Sequence, residues 1–156
     1  MGTRVDFYVG RGETAEWLGS YPFDGYPDGV FGDVRDNQEV FGPIERGEPV
    51  AEGAWRSLVA GFLTENADRA TLPEQGWPWP WETSATTDYA YAWDDGVIYG
   101  SCFGHRWFTV NPDAKNWGED DDERSDKSAV FPDMTARKAV TYGPRSGLIV
   151  FGLPSS

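Results

Sequence analysis

The sequence predicts an α+β fold, with an antiparallel sheet of about five to six strands and one main helix packed on one face. Alternating apolar and polar residues indicate strands before residue 22 and after residue 86, and a segment of helical periodicity lies between them. The 19 Gly and 11 Pro favour many turns over a helix bundle. Eight Trp, seven Tyr and nine Phe can build a sizeable core, so we expect residues 1–156 to form a single domain.

Two strands are predicted near the N-terminus, over residues 3–10 and 15–21. In the first of them, Val5, Phe7 and Val9 alternate with residues that point to the other face. The following residues, 22–29, contain two Asp-Gly pairs and two prolines, which are typical of a loop of tight turns. A short helix is one interpretation of residues 33–42.

The clearest helix is predicted over residues 49–66. Its apolar residues recur at helical spacing and share one face: Trp55, Leu58, Val59, Phe62 and Leu63. Gly53 and Gly61 each weaken a helix by about 1 kcal/mol relative to alanine. We therefore expect the helix to pack closely against the sheet at these two glycines.

The strongest strand signal covers residues 87–110, where Asp95-Gly96 predicts a hairpin turn and Gly104 an interruption. Before it, alternating prolines in residues 77–81 forbid a helix and favour an extended, exposed loop. Residues 112–128 are polar and predict a mobile acidic loop. A last hairpin is predicted from residues 139–142 and 148–153.

The formal net charge is −13, and the 26 acidic residues are divided almost evenly, with 14 in residues 1–78 and 12 in residues 79–156. A surface of this sign repels nucleic acid and anionic membranes and attracts basic proteins, although it also serves solubility alone. We therefore expect a partner protein with a basic surface and no direct nucleic-acid or membrane binding. The single cysteine excludes an intramolecular disulfide, and no apolar run has the length of a signal or membrane segment. The expected location is the cytoplasm.

Two groups of residues are candidates for binding. One is aromatic and comprises Trp77, Trp79, Trp81, Tyr89, Tyr91 and Trp93. Flat rings of this kind stack on sugars or bases, or anchor a protein contact, and the alternative is that they fill the core. The other is acidic and comprises Asp120, Asp121, Asp122 and Glu123. It lacks the glycine and glutamate positions of a calcium loop, so we predict a solvated charge run, no metal and no cofactor.

Cys102 and His105 are the weak candidates for catalysis. A thiol and an imidazole are the groups that a cysteine nucleophile requires. On a regular strand, however, these two positions point to opposite faces unless Gly104 forms a bulge. The alternative is a buried structural cysteine beside a histidine at the end of its strand.

Several stretches carry a resemblance to known sequences. They are the segment from Gly2 to Gly12 (GTRVDFYVGRG), Glu16 to Ser20 (EWLGS), Leu72 to Glu82 (LPEQGWPWPWE) and Thr86 to Tyr91 (TTDYAY). Over roughly residues 2–110, the chain resembles a group of small phage and prophage proteins without an assigned activity. This resemblance implies a phage accessory role in the host bacterial cytosol and transfers no catalytic residue.

Taken together, these features predict a protein-binding inhibitor for counter-defence or host takeover, which could act through DNA-like charge mimicry. Three alternatives stay open. The chain could sequester a nucleotide or a sugar, it could be the immunity protein of a basic toxin, or it could be a Cys-His enzyme.

Overall fold

A computed structural model describes residues 2–120 and 128–137, which adopt an α+β fold. Five strands form one sheet in the order β2-β1-β3-β4-β5. Their bounds are β1 (Val5–Val9), β2 (Glu16–Tyr21), β3 (Tyr89–Asp94), β4 (Val97–Cys102) and β5 (Phe108–Thr109). The two N-terminal strands and the hairpin of β3 and β4 therefore lie where the alternation of residues predicts them.

The sheet is mixed, which corrects the expectation of a purely antiparallel one. β1 pairs antiparallel with β2 and parallel with β3, in the register Val5↔Tyr89 and Val9↔Trp93. The remaining pairs, β3–β4 and β4–β5, are antiparallel. The chain between β2 and β3 is long enough to cross over and return beside β1 in the same direction, which a short turn cannot do.

Within residues 2–120 and 128–137 there are three main helices, whereas the sequence predicted one. They are α1 (Pro27–Phe31), α2 (Gln38–Arg46) and α3 (Glu52–Glu65). α2 begins where the Asn37 side chain accepts hydrogen bonds from the backbone N–H groups of Glu39 (3.0 Å) and Val40 (3.2 Å). It ends at Gly47, which adopts the left-handed conformation at φ 71°. These two caps resolve the ambiguity of residues 33–42 in favour of a helix.

α3 matches the predicted helix and buries Trp55, Leu58, Val59 and Leu63 against the sheet. The expectation for its two glycines is wrong. A Cβ atom placed on Gly53 or Gly61 would meet nothing within 4 Å, and both residues are exposed. The glycines lie on the solvent side of α3, so close packing against the sheet does not explain them.

Because both positions are helical and open, Gly53→Ala and Gly61→Ala should each raise the free energy of unfolding by about 1 kcal/mol. The melting temperature should rise by about 2–4 °C per substitution. Thermal denaturation followed by circular dichroism measures this. Gly96→Ala is the opposing control, because Gly96 has a φ of 88° and its Cβ would lie 2.7 Å from Pro49. Unchanged stability in both helical variants would contradict the open geometry of α3.

The hairpin between β3 and β4 is confirmed. Asp95 and Gly96 have φ values of 51° and 88°, as a two-residue hairpin turn with two positive φ angles requires. The chain then breaks at Gly104, also as predicted, before the two-residue strand β5 pairs with β4.

Apolar residues fill both faces of the sheet. The helix-side cluster includes Val5 and Phe7 of β1 under the three helices. The Trp-side cluster, on the opposite face, is built from Tyr8, Trp17, Trp77, Ala90, Ala92, Trp107, Ala129, Phe131 and Met134. Both faces of the central strands are therefore buried.

Of the predicted acidic loop, residues 112–120 and 128 are described. Residues Lys115–Gly118 form a 3-10 turn, and the buried Trp117 packs against Phe31 (5.7 Å) and Phe41 (5.9 Å) between ring centres. Residues 121–127 and the predicted hairpin of residues 139–153 lie outside the described residues. In the ranges described, no helix has the length and apolar character needed to cross a bilayer.

Candidate functional site

The loop around Trp77, Trp79 and Trp81, which we call the Trp loop, packs on the Trp-side cluster, which corrects the expectation that it is exposed. Trp77 is fully buried in the Trp-side cluster, and it meets Trp17 edge-on at 5.3 Å between ring centres. Trp79 and Trp81 are half-buried and stack on each other at 5.6 Å. Ala90 and Ala92 of β3 face this loop, and their small side chains leave room for the indoles.

Each indole N–H of the loop has an internal acceptor. Trp77 donates to the carbonyl of Trp81 (2.5 Å), and Trp81 donates to Oγ1 of Thr87 (2.9 Å). Trp79 donates to Oδ1 of Asp6 (2.9 Å). Because these donors are satisfied inside the protein, hydrogen bonds hold the loop against the sheet.

Asp6 lies at the centre of this network and is fully buried on β1. Its carboxylate accepts from the Ser20 hydroxyl on Oδ1 and from the Ser84 hydroxyl on Oδ2 (2.7 Å), in addition to Trp79. Burial raises the pKa of Asp6, and these hydrogen bonds act in the opposite direction. In the sequence, this group is visible only as a single aspartate in an otherwise apolar strand.

The second half of the aromatic set lies on the other side of the sheet. Tyr91 is fully buried in the helix-side cluster, and its hydroxyl donates to the carbonyl of Gly25 (2.7 Å). Trp93 donates to the carbonyl of Val50 (2.7 Å), and Tyr89 packs on the same cluster. The sheet therefore separates the two halves, and the six rings cannot form one binding platform.

Cys102 and His105 flank a tight turn at the end of β4. The Cys102 carbonyl accepts from the backbone N–H of His105 (3.0 Å), and Phe103 between them has a φ of 52°. Cys102 is half-buried, lies opposite Tyr89 in the register and is within hydrogen-bonding reach of its hydroxyl. That hydroxyl donates to Glu119 (2.7 Å), and burial followed by this bond raises the Tyr89 pKa. A catalytic role for Cys102 and His105 stays a prediction.

Of the acidic candidates, only Asp120 is among the described residues. It is exposed, and its Oδ2 lies 3.4 Å from the side-chain nitrogen of Asn116. Asp121, Asp122 and Glu123 fall in the undescribed range. Within the described ranges, no group of three acidic, cysteine or histidine side chains is arranged to hold a metal ion.

A surplus of negative charge lies between β2 and α3, in residues 24–48, which we call the acidic segment. It carries two arginines and seven exposed carboxylates: Asp24, Asp28, Asp33, Asp36, Glu39, Glu45 and Glu48. Arg35 donates to the carbonyl of Pro112 and lies 4.7 Å from the ring centre of Trp117, while Arg46 pairs with Glu48 (2.8 Å). Five negative charges remain in excess over this short stretch.

Elsewhere on the surface, several carboxylates are paired with arginines. Arg4 pairs with Asp88 (3.1 Å) and Arg11 with Asp94 (3.0 Å). A third arginine, Arg56, bridges two acids, Glu16 and Glu52, at 2.6 and 2.8 Å. Among the described residues, carboxylates without an ion pair are therefore more concentrated on the acidic segment than the even distribution of acids along the sequence indicates.

A groove of about 370 Å³ opens where the acidic segment meets α3, and we call it the acidic groove. Its apolar lining is formed by Tyr21, Val30, Val34, Leu58 and Phe62. Three carboxylates also line it: Asp24, Asp33 and Glu65. Among the residues that the structure describes, none of the three forms an ion pair. This pairing of apolar walls with unneutralised acids suits a cationic group on an alkyl stem.

A second cavity, of about 390 Å³, lies between the end of α2 and the β3–β4 turn. Its lining includes Ile44, Val97 and Ile98 and the acids Glu48 and Asp95. Glu48 already pairs with Arg46, so this cavity offers less uncompensated charge than the acidic groove.

Sequence reasoning missed the acidic groove because its residues come from three separate segments. The signal that was available is the excess of acids over arginines in residues 24–48. Comparison with protein-family models, curated proteins and solved structures finds no match for this chain.

Proposed function

We propose that this chain is a binding protein that engages the basic surface of a partner protein and inhibits it. The single observation that carries the proposal is the acidic segment, which contains seven exposed carboxylates and only two arginines. A basic partner is the class of macromolecule that this charge attracts.

The predicted aromatic anchors do not contribute to this contact as a group. Trp77 and Tyr91 are fully buried, and the two halves of the set lie on opposite faces of the sheet. The proposed contact surface is therefore moved from the Trp loop to the acidic segment. The burial of Trp77 and Tyr91 leaves these two rings no free face for a sugar or a base, which weakens the small-molecule alternative built on the whole set.

Long-range attraction by the acidic segment would raise the rate of encounter, and short-range contacts would then fix the complex. Counter-defence or host takeover is the biological setting we propose, with the resemblance to small phage proteins as its support. DNA-like charge mimicry is one form that such inhibition takes, because DNA-binding surfaces are basic.

The test is a comparison of partner capture from bacterial lysate by the wild-type protein and by a charge variant. The variant carries Asp28→Asn, Asp36→Asn, Glu39→Gln and Glu45→Gln, all at exposed positions outside the acidic groove. We expect its affinity for the captured protein to fall by about tenfold or more at low salt, because the association rate depends on these charges. The wild-type affinity should itself fall as salt screens exposed charges over about 8 Å.

The matched control carries Glu13→Gln, Glu74→Gln, Glu82→Gln and Asp113→Asn, which are also exposed and change the net charge equally. It should retain most of the affinity. Equal losses in the two variants would show that total charge alone matters and would contradict a contact at the acidic segment. Capture that does not respond to salt in either protein would contradict the electrostatic basis of the proposal.

A further inference from the structure

We propose that the acidic groove receives an arginine side chain of the basic partner. This inference rests on the proposed function and adds to it the place and the chemistry of the central contact. The groove combines an apolar lining with three carboxylates, and an arginine presents an alkyl stem with a cationic head to match both.

The walls of the groove suit the alkyl stem. Val30 and Leu58 are buried at 2% and 6% exposure, so the bottom of the groove is packed and apolar. Phe62 packs edge-on against Tyr21 at 5.4 Å between ring centres, which holds that wall in place. A volume of about 370 Å³ is at the low end of small-ligand sites, typically about 300–1,000 Å³, and one long side chain is a suitable occupant.

The polar lining suits a guanidinium group. Asp24, Asp33 and Glu65 come from a loop, a 3-10 helix (Gly32–Val34) and α3, so the three acceptors that line the groove belong to different elements. A guanidinium carries five N–H donors in a fixed plane and is more weakly hydrated than an ammonium group. Arginine can therefore donate to several separated acceptors at once more readily than lysine can. An anionic ligand such as a phosphate would be repelled by the same carboxylates.

Access to the groove is open on the α3 side. Gly61 lines the groove, and a Cβ atom placed on it would meet nothing within 4 Å. A large side chain at Gly61 would therefore enter free space that the partner's arginine is expected to use. Gly53 lies on the same helix, is equally open and does not line the groove. A substitution at Gly53 is therefore a matched control for the same substitution at Gly61.

The first experiment titrates N-acetyl-arginine amide into ¹⁵N-labelled protein and follows backbone amide shifts by NMR. We expect saturable shifts, with a millimolar Kd, centred on Asn37, Ser57 and Gly61, which line the groove. N-acetyl-citrulline amide has nearly the same shape without the charge and should bind at least tenfold more weakly. Equal shifts from both probes, or shifts spread over all exposed acids, would overturn the inference.

The same titration on Gly61→Trp and Gly53→Trp separates a groove from general attraction. Gly61→Trp should abolish the saturable shifts, whereas Gly53→Trp should retain them. Both variants place an exposed Trp on α3, so a folding defect would affect them alike, and circular dichroism checks this. Retained binding in a folded Gly61→Trp protein would overturn the inference.

A second experiment uses the partner captured by the wild-type protein. Asp24→Asn, Asp33→Asn and Glu65→Gln together should lower the affinity at least tenfold more than the triple Glu74→Gln, Glu82→Gln and Asp113→Asn. Equal losses would refute the groove while leaving the proposed function intact. Failure of the wild-type protein to capture any basic protein would instead refute the proposed function, and the NMR titration would still decide whether the groove binds the arginine probe.

Discussion

Replacing Asp6 by alanine is expected to lower the free energy of unfolding by about 3–5 kcal/mol. The substitution removes the acceptor of three donors, the buried hydroxyls of Ser20 and Ser84 and the half-buried indole of Trp79. An unsatisfied buried donor costs about 1–3 kcal/mol, and the donors here pin the Trp loop to the sheet. Urea denaturation followed by circular dichroism measures the loss.

Asp6→Asn is the matched control, because it keeps the shape and one carbonyl acceptor. Its amide can donate to the Ser84 hydroxyl, which in turn lies 2.8 Å from the hydroxyl of Tyr8. We expect less than half of the loss seen with alanine. If Asp6→Ala lowered the free energy of unfolding by less than about 1 kcal/mol, the hydrogen bonds of Asp6 would not be what holds the Trp loop to the sheet.

The raised pKa of Asp6 can be tested by comparing how the stability of the wild-type protein and that of Asp6→Asn depend on pH. Burial raises the folded-state pKa of Asp6 above its ordinary value of about 3.8, so the folded protein binds this proton more tightly than the unfolded chain does. Between the two pKa values the folded state carries more protons, and stability therefore falls as pH rises. Asp6→Asn lacks this titration. The stability of the wild-type protein relative to Asp6→Asn should therefore decline as pH increases from about 4 through the folded-state pKa of Asp6.

The opposite pH dependence would contradict the raised pKa of Asp6. A wild-type protein that gains stability relative to Asp6→Asn over that pH range would show that hydrogen bonds outweigh burial and lower the pKa of Asp6. Other carboxylates titrate in the same range, but they are common to both proteins and cancel in the difference.

Trp55→Ala is the second substitution with a large expected effect, about 3–5 kcal/mol of lost unfolding free energy. Trp55 is fully buried between α3 and the sheet, where its ring lies 6.2 Å from that of Phe7 and 6.4 Å from that of Phe31. Its indole N–H donates to the carbonyl of Tyr8 (2.8 Å). Alanine would leave a cavity and an orphaned acceptor, and guanidinium denaturation would report both.

Trp55→Phe separates the two contributions, because it keeps most of the ring and removes the donor. We expect a loss of about 1–2 kcal/mol from the missing hydrogen bond. A loss as large as that of alanine would place most of the stabilisation in the bond to Tyr8 instead of in packing.

Local sequence patterns predicted the strands and α3 because their information is contained in neighbouring residues. The period of Val5, Phe7 and Val9 specifies a strand, and Asp95-Gly96 specifies the turn that follows β3. The parallel pairing of β1 with β3 could not be read in this way. It depends on how the chain between residues 22 and 88 crosses the sheet, and alternation of side chains is the same in parallel and antiparallel strands that bury one face.

The candidate site was harder to predict than the fold. Aromatic residues are equally suited to a core and to a surface anchor, and only the structure shows that Trp79 donates inward to Asp6. The prediction of close packing at the two glycines of α3 was wrong for a similar reason, because a glycine in a helix is compatible both with close packing and with open space. Gly61 is open, and it borders the acidic groove.

The parallel pairing of β1 has a consequence for biosynthesis. Arg4 and Asp88, which are hydrogen-bonded at the start of the pair, are 84 residues apart in the chain. At about 5–20 residues per second, the ribosome needs roughly 4–17 s to deliver that length. During this delay β1 and β2 can form a hairpin, but the edge of β1 that later receives β3 has no partner strand. Exposed strand edges promote association between chains, so the nascent hairpin is a stage at which we expect this protein to be prone to aggregation.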